Sequence, residues 1–252
     1  MRKYFVAGNW KMNLTMGESA KLAADLKAAI GGQSEVDVAV CPPFVYVPGV
    51  VEALKGSTIA VGAQNLYPAP GGAFTGEVSP KMIKDVGCRY VIIGHSERRH
   101  ILGEKDEFIN AKVKSALEAQ LLPILCVGEL LAERQSGRTQ SVVSIQVEKG
   151  LAGLTEQDAA KITIAYEPVW AIGTGETATP AQAQEVHAYI RGLVKKLFGD
   201  SIADAMRIQY GGSVKPDNAA ELMAQPDVDG SLVGGAALKA ENFVPIVRAA
   251  KG

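Results

Sequence analysis

Short apolar runs recur along the whole chain, and longer segments with helical spacing separate them. The runs are rich in β-branched and aliphatic residues and carry few charges, which is typical of strands buried on both faces of a parallel sheet. Eight strands are predicted: Tyr4 to Gly8, Val36 to Cys41, Thr58 to Ala63, Tyr90 to Gly94, Leu122 to Val127, Ile162 to Tyr166, Ile208 to Tyr210 and Gly230 to Val233.

Most segments between these strands carry apolar residues three and four positions apart, or residues that commonly begin helices. The segment 46 to 54 shows this pattern only weakly. The other helices are predicted over Gly17 to Ile30, Pro80 to Val86, Lys105 to Ala119, Gln140 to Leu151, Pro180 to Phe198, Pro216 to Ala224 and Glu241 to Ala250.

The alternation of strand and helix predicts an α/β protein with a parallel sheet and right-handed crossovers. Eight repeats in 252 residues give roughly 31 residues per unit, the spacing of an eight-fold (β/α)8 barrel. A doubly wound open sheet is the alternative, but it normally has a glycine-rich turn after its first strand, and Gly8 to Asn13 lacks that fingerprint. Because no linker or shift in composition divides the chain, residues 1–252 are predicted to form a single barrel domain.

One long segment, Asn65 to Ser79, follows neither pattern. It contains Tyr67, Phe74 and Val78, whose side chains are poorly suited to permanent exposure. We therefore expect this loop to pack against another subunit rather than to be disordered.

Composition narrows the class of partner. Lys and Arg total 26 against 27 for Asp and Glu, and this net charge of -1 gives no electrostatic reason to expect nucleic acid or a membrane surface. The cysteines, Cys41, Cys88 and Cys126, lack the C-x-x-C spacing of zinc or redox sites. No apolar stretch approaches the roughly 20 residues that cross a bilayer, and the first residues do not resemble a signal peptide. We expect a cytoplasmic protein without a metal or other cofactor.

The most informative stretch runs from Ala165 to Gly175. Glu167 directly follows the sixth predicted strand, where partial burial can raise the pKa of its carboxyl group and make it a better base. Gly173 and Gly175 allow backbone N–H groups to approach an anion, while Ile172 and its neighbours make one side of the loop apolar. This composition suits a lid over a charged substrate, and a solvated glutamate in an ordinary loop is the alternative.

Polar residues that follow different strands of a barrel meet at its carboxyl-end rim. His95 follows the fourth predicted strand and precedes a short helix, whose positive dipole end disfavours a protonated ring. A neutral imidazole at this position can donate a hydrogen bond to a carbonyl oxygen. Asn9 and Lys11 follow the first strand, and Lys11 supplies a fixed positive charge.

Glycine pairs follow the last two strands. The motifs Gly211-Gly212-Ser213 and Gly234-Gly235 present backbone N–H groups where phosphate sites recur in barrels. One such pair is usually only a turn, but two at this position predict a phosphate cradle. A carboxylate base, a neutral acid and an anchored phosphate, without metal-ligand spacing, suit proton transfer next to a carbonyl.

Five motifs, in order along the chain, resemble the triosephosphate isomerase family, and the resemblance runs from Tyr4 to about Ala250. It implies a TIM barrel and the interconversion of dihydroxyacetone phosphate and D-glyceraldehyde 3-phosphate through an enediol(ate). That aldose–ketose isomerisation belongs to glycolysis and gluconeogenesis. The motifs are Gly8 to Asn13, Ile93 to Arg99, Ala165 to Gly175, Tyr210 to Ser213 and Leu232 to Gly235.

The resemblance also implies roles for the catalytic residues. Glu167 is expected to move the proton between the two carbons, and His95 to protonate and deprotonate the oxygens. Lys11 and Asn9 are expected to hold the substrate and to stabilise its developing negative charge. Glu97 is expected to pair with Lys11.

Further residues are implied around this group. Ile172 and Leu232 are expected to press on Glu167 when the lid closes, and Ser96 is expected to support the site. The phosphate is expected to bind the backbone amides of Gly173, Ser213, Gly234 and Gly235.

The family also implies a homodimer, in which the 65–79 loop enters the neighbouring subunit and Thr75 steadies Asn9. Glu176 stands where the family commonly has Lys, and Ala237 where it often has Ser. Two other functions remain open: another phosphate-binding barrel enzyme acting on a sugar phosphate, and a catalytically silent binding protein. The first would require a Schiff-base lysine or metal ligands at the strand ends.

Overall fold

Eight parallel strands form a closed barrel in the computed structural model, which describes residues 2–173 and 176–250. Each strand pairs with its neighbours in the sequence, and the last strand pairs with the first. The strands are β1 (Phe5–Asn9), β2 (Asp37–Cys41), β3 (Ala60–Ala63), β4 (Tyr90–Ile93), β5 (Leu122–Val127), β6 (Thr163–Tyr166), β7 (Ile208–Tyr210) and β8 (Gly230–Val233).

The barrel closes between β1 and β8. Phe5 pairs with Gly230, and Ala7 pairs with Leu232. A Cβ atom at Gly230 would lie 1.9 Å from the carbonyl oxygen of Phe5, and its φ of +135° also favours glycine. This closure confirms the predicted barrel and excludes the open sheet.

Helices connect the strands and cover the outside of the barrel. In the described ranges the α-helices are α1 (Met16–Ile30), α2 (Val47–Ala53), α3 (Pro80–Asp85), α4 (Ser96–His100), α5 (Asp106–Glu118), α6 (Leu131–Gln135), α7 (Thr139–Gly150), α8 (Glu156–Ala159), α9 (Pro180–Phe198), α10 (Asp200–Ala205), α11 (Ala219–Met223) and α12 (Ala240–Ala249). Short 3-10 turns cover Phe44–Tyr46, Val169–Ala171 and Gly235–Leu238.

Local end signals explain why α9 has the predicted bounds. The Thr179 side chain accepts a hydrogen bond from the N–H of Gln182, and the Gln182 side chain accepts one from the N–H of Thr179. Pro180 occupies the first turn, where its missing N–H is not needed. By contrast, α6, α8 and α10 were not predicted, since helices this short show little periodicity.

Two apolar layers enclose the strands. Inside the barrel, Phe5, Tyr90, Ile92 and Ile124 pack together, and the rings of Phe5 and Tyr90 lie 4.6 Å apart. A larger apolar cluster fills the space between strands and helices. Because both faces of the strands are covered, most strand residues are apolar, as the sequence pattern indicated.

The segment between β3 and α3 contains no helix or strand. The ring of Tyr67 packs 4.5 Å from the ring of Phe74 and 5.8 Å from that of Phe108. The tip of the loop is nevertheless exposed, and Phe74 keeps 41% of its surface accessible. Packing of this tip against another subunit remains a prediction.

The cysteines, all of which lie in the described ranges, form no disulfide bonds. The thiols of Cys41, Cys88 and Cys126 are free and buried, and burial raises the pKa of Cys88 to about 12. Within residues 2–173 and 176–250, none of the helices combines the length and the apolar character that a membrane crossing requires.

His187 lies on α9 and is completely buried. Its ring contacts the rings of Tyr166 and Tyr210, with centroids 5.8 Å and 6.3 Å away. The ring nitrogen Nδ1 lies 3.1 Å from the carbonyl oxygen of Asp227, while Nε2 finds no partner among the described residues. Burial lowers the pKa of His187 to about 4, and the charge of Arg191 acts in the same direction.

We predict that His187 weakens the fold in acid. The unfolded chain binds a proton near the ordinary pKa of 6.5, whereas the folded chain does so only near 4. The free energy of unfolding therefore falls as the pH drops from 6.5 towards 4, by up to about 3 kcal/mol for this group. Urea unfolding of His187→Gln across this range should show a shallower pH dependence than wild type, and parallel curves would contradict the prediction.

Candidate active site

A cavity of about 280 Å³ opens at the carboxyl ends of the strands. Loops that follow β1, β4, β6, β7 and β8 supply its wall, so residues from the whole length of the chain meet there. Ten of the predicted site residues line it: Asn9, Lys11, His95, Glu167, Ile172, Gly173, Ser213, Leu232, Gly234 and Gly235.

Three further predicted site residues do not line the cavity themselves. Ser96 and Glu97 contact the lining residues directly, whereas Thr75 lies on the exposed tip of the 65–79 loop. Lys215 and Ala236 also line the cavity but were not predicted. The signal in the sequence was their place one or two residues after the two glycine motifs.

His95 and Glu167 are in direct contact. His95 Nε2 lies 2.9 Å from Glu167 Oε1, and the backbone N–H of Ser96 donates to Glu167 Oε2 over 2.8 Å. On the other side of the ring, Nδ1 accepts a hydrogen bond of 3.2 Å from the N–H of Glu97. This arrangement fits a ring proton on Nε2, the tautomer that donates to Glu167. His95 directly precedes α4, as predicted.

This contact shifts both pKa values. Burial by itself raises the pKa of Glu167, but the His95 ring, the Ser96 N–H and the Lys11 charge outweigh burial and hold that pKa below its ordinary value. Burial lowers the pKa of His95, but the carboxylates of Glu167 and Glu97 outweigh it and leave that pKa raised. The predicted rise in the pKa of Glu167 is therefore wrong for this arrangement, and the raised pKa of His95 runs against the predicted preference for a neutral ring. Neither prediction included the direct contact.

Lys11 reaches the cavity from a strained turn after β1. Its φ is +52°, a left-handed conformation that costs a residue with a side chain about 1–3 kcal/mol. The backbone N–H of Lys11 donates to Asn9 Oδ1 over 3.0 Å, and Nζ lies 2.7 Å from Glu97 Oε1. The neighbouring side chains thus hold the lysine at the cavity wall.

Glycines allow the backbone and side chains around Glu167 to pack closely. A Cβ atom at Gly128 would lie 1.7 Å from the carbonyl oxygen of Glu167, and one at Gly211 would lie 2.9 Å from its Cγ. At Gly212 a Cβ would lie 2.2 Å from the hydroxyl of Tyr210. Gly211 and Gly212, predicted as part of a phosphate cradle, are therefore also required by packing.

Backbone from the last two loops forms the far wall of the cavity. Gly234 and Gly235 lie at the start of the 3-10 turn Gly235–Leu238. The N–H of Ser213 donates to the carbonyl oxygen of Ala171 over 3.0 Å. This amide has to leave that partner before it can bind an anion.

The first part of the predicted lid is anchored to the barrel. Trp170 Nε1 donates to Glu129 Oε1 over 3.0 Å, and Glu129 itself is completely buried. Ile172 and Gly173 then line the cavity. The remaining residues of the loop centre, 174–175, lie outside the described residues.

Within the described ranges, no three His, Cys, Asp or Glu side chains lie close enough together to hold a metal ion. The cavity does bring together a carboxylate, an imidazole and an ammonium group. Such a set can remove a proton, return one to an oxygen atom and stabilise negative charge.

A family model described as triosephosphate isomerase matches residues 4–250. The chain belongs to the triosephosphate isomerase family. All five motifs that carry the resemblance lie within the matched residues, and the family membership suggested by the sequence is confirmed.

Members of this family from several bacteria are similar over their whole length. The triosephosphate isomerase of Carboxydothermus hydrogenoformans is 60% identical over 248 residues, which cover 98% of this chain and 99% of the relative. That of Rhodopirellula baltica is 53% identical over 249 residues, covering 99% and 98%. That of Endomicrobium trichonymphae is 54% identical over 251 residues, covering 100% of each chain.

We predict that the pKa of His95 depends on Glu167. Because the carboxylate of Glu167 raises the pKa of His95, Glu167→Gln should lower it and leave burial to favour the neutral ring. An NMR titration of the His95 imidazole in both proteins measures the change. The exposed Glu185→Gln removes an equal charge and serves as control. An unchanged pKa in Glu167→Gln would show that the contact is absent in solution.

Proposed function

We propose that this chain interconverts dihydroxyacetone phosphate and D-glyceraldehyde 3-phosphate, the reaction of its family. A proton moves between adjacent carbons through an enediol(ate), and the reaction serves glycolysis and gluconeogenesis. The observation that carries the proposal is the 2.9 Å contact between Glu167 and His95 on the wall of a cavity that Lys11 also lines.

Glu167 is proposed as the base that moves the proton between carbons. Its present partners, His95 and the N–H of Ser96, stabilise the ionised carboxylate. If the carboxylate leaves them for a position against Ile172 and Leu232, it loses these hydrogen bonds and its pKa rises. Movement towards the substrate therefore increases basicity. A glutamate base beside a neutral histidine is the established assignment for this family and is inherited here.

His95 and Lys11 are proposed to act on the substrate oxygens. The Nε2 proton of His95 can be donated to an enediolate oxygen and taken back, while the Glu97 N–H holds Nδ1. Lys11 offers a positive charge to the same oxygens, with Asn9 beside it. Such acid–base assistance contributes about 10²–10⁴-fold, and each preorganised donor about 10²–10³-fold.

The other end of the substrate is proposed to bind backbone amides. The volume of about 280 Å³ is small and suits a three-carbon phosphate ester. The amides of Gly173, Ser213, Gly234 and Gly235 are the proposed phosphate ligands. A lid that closes over them would exclude water and protect the enediolate from losing its phosphate.

A Schiff-base aldolase or synthase on the same fold would use a lysine inside the cavity. In the part of the chain that is described, the lysines lining it are Lys11, paired with Glu97, and the exposed Lys215. The buried Lys112 instead contacts Glu104 and Asn65 outside the cavity. We therefore favour isomerisation.

We propose that the protein acts as a homodimer. Large apolar side chains are exposed on loops after four consecutive strands: Met12 (95% exposed), Val45 (76%), Phe74 (41%) and Ile101 (77%). Because β1 to β4 are neighbours in the barrel, these loops share one side of the molecule. An exposed apolar surface of this kind is typical of a subunit interface. Thr75 is proposed to reach Asn9 of the partner subunit there.

We propose that the chain forms one domain. One barrel domain accounts for the strand and helix pattern from β1 to α12. We also propose a cytoplasmic location, since free, buried thiols are typical of a reducing compartment.

We predict that isomerase activity depends on Glu167 and on no added cofactor. Wild-type protein should isomerise dihydroxyacetone phosphate in a coupled assay without added metal or cofactor, and chelation should not change the rate. Glu167→Gln keeps the shape of the side chain but cannot accept the proton, so kcat should fall by about 10²–10⁴-fold while KM changes little. Glu185→Gln is the matched control. Near-normal turnover of Glu167→Gln would assign the base elsewhere.

We predict that Phe74 lies in the subunit interface. Phe74→Asp introduces a charge into the proposed interface and should produce monomers with reduced activity in sedimentation and kinetic experiments. Ile145→Asp changes an apolar residue of similar exposure on α7, outside that interface, and should leave the dimer intact. Wild-type protein that sediments as a monomer at all concentrations would refute the dimer.

A further inference from the structure

We infer that Gln64 is a positioning residue that holds Lys11 in its working conformation, an inference that rests on the proposed isomerisation. Gln64 directly follows β3. Its Nε2 atom donates to two backbone carbonyl oxygens, that of Lys11 over 2.8 Å and that of Cys41 over 2.9 Å. A single amide group therefore connects the segments that follow β1 and β3 to the last residue of β2.

The geometry of Lys11 explains why such a contact matters. Its φ of +52° is unfavourable for a residue with a side chain, so the conformation persists only where its surroundings enforce it. Asn9 holds the backbone N–H of Lys11, and Gln64 holds its carbonyl oxygen. The peptide groups on both sides of the strained residue are thus fixed by side chains.

The anchor of this arrangement is the end of β2. The carbonyl oxygen of Cys41 accepts hydrogen bonds from the N–H of Trp10, over 3.1 Å, and from Gln64. Cys41 is completely buried and paired with β1, so its position is set by the barrel. Because the Gln64 amide binds both carbonyl oxygens, it holds the carbonyl group of Lys11 at a fixed distance from Cys41. Without the amide, Lys11 can relax to a negative φ and carry its ammonium group away from the cavity and Glu97.

The contact uses both N–H bonds of the amide nitrogen. Two carbonyl oxygens face this atom, and each N–H bond can donate to one of them. A methionine has a similar length but no donor. An asparagine keeps the amide but is one methylene shorter and cannot bridge both oxygens.

The experiment compares Gln64→Met with a matched control. Because a small displacement of a catalytic group can cost as much as 10²-fold, we expect kcat/KM of Gln64→Met to fall by about 10–10²-fold, through a higher KM as well as a lower kcat. Gln33 also makes two backbone hydrogen bonds, to Val36 over 2.8 Å and 3.0 Å, in the loop before β2 at the opposite end of the barrel. Gln33→Met should stay close to wild type in kcat/KM.

A double-mutant cycle separates positioning from general stability. If Gln64 acts through Lys11, Gln64→Met should cost little further activity in a Lys11→Met background. Melting temperatures and sedimentation of all variants show that they are compared as folded dimers. An equal loss of activity with and without Lys11, or normal activity of Gln64→Met, would overturn the inference.

A third measurement covers the case in which Gln64→Met does not fold. Gln64→Asn should bind 2-phosphoglycolate, a phosphate-bearing enediolate mimic, more weakly than wild type, and an unchanged Kd would overturn the inference. Different results refute the isomerase function and the positioning role of Gln64. Wild-type protein without turnover refutes the isomerase function, whereas an active wild type with an unaffected Gln64→Met refutes only the positioning role.

Discussion

The closure of the sheet between β1 and β8 is the constraint on which the cavity depends. It requires glycine at position 230, because any side chain there would collide with the backbone of Phe5. Once the ring of strands is closed, all carboxyl ends lie at one rim. Lys11 from the first loop then lies beside Gly234 from the last, with Lys11 Cε 3.4 Å from the position of a Gly234 Cβ.

Within that rim, the contact between Glu167 and His95 sets the electrostatics. It stabilises the carboxylate and raises the pKa of the imidazole, so the pair is held in a relaxed, weakly basic arrangement. In the proposed mechanism, basicity rises when the carboxylate exchanges these polar partners for apolar ones. The close packing that requires glycine at positions 128 and 211 fixes the backbone of Glu167, so in the proposed mechanism only its side chain has to move.

The sequence predicted what depends on local pattern. Apolar runs and their spacing predicted every strand of the closed barrel, and α9 has the predicted bounds because its end signals lie in its own residues. A helix as short as α8 has too few residues to show the helical spacing of apolar positions, so its sequence did not predict it. Positions after strands predicted ten residues that line one cavity. The lowered pKa of Glu167 and the hydrogen bonds of the Gln64 amide depend instead on which groups face each other across loops. No pattern along one segment contains that information.

The distance along the chain between the two sides of the cavity also has a consequence for biosynthesis. Lys11 leaves the ribosome early, but the backbone that it meets at Gly234 emerges only near the end of translation. A chain that lacks β8 cannot close the sheet, so the β1 edge that β8 covers stays open to pairing with strands of other molecules. Contacts this remote also slow folding. The architecture that brings these groups together thus leaves the edge of β1 without its partner until the last strand is made.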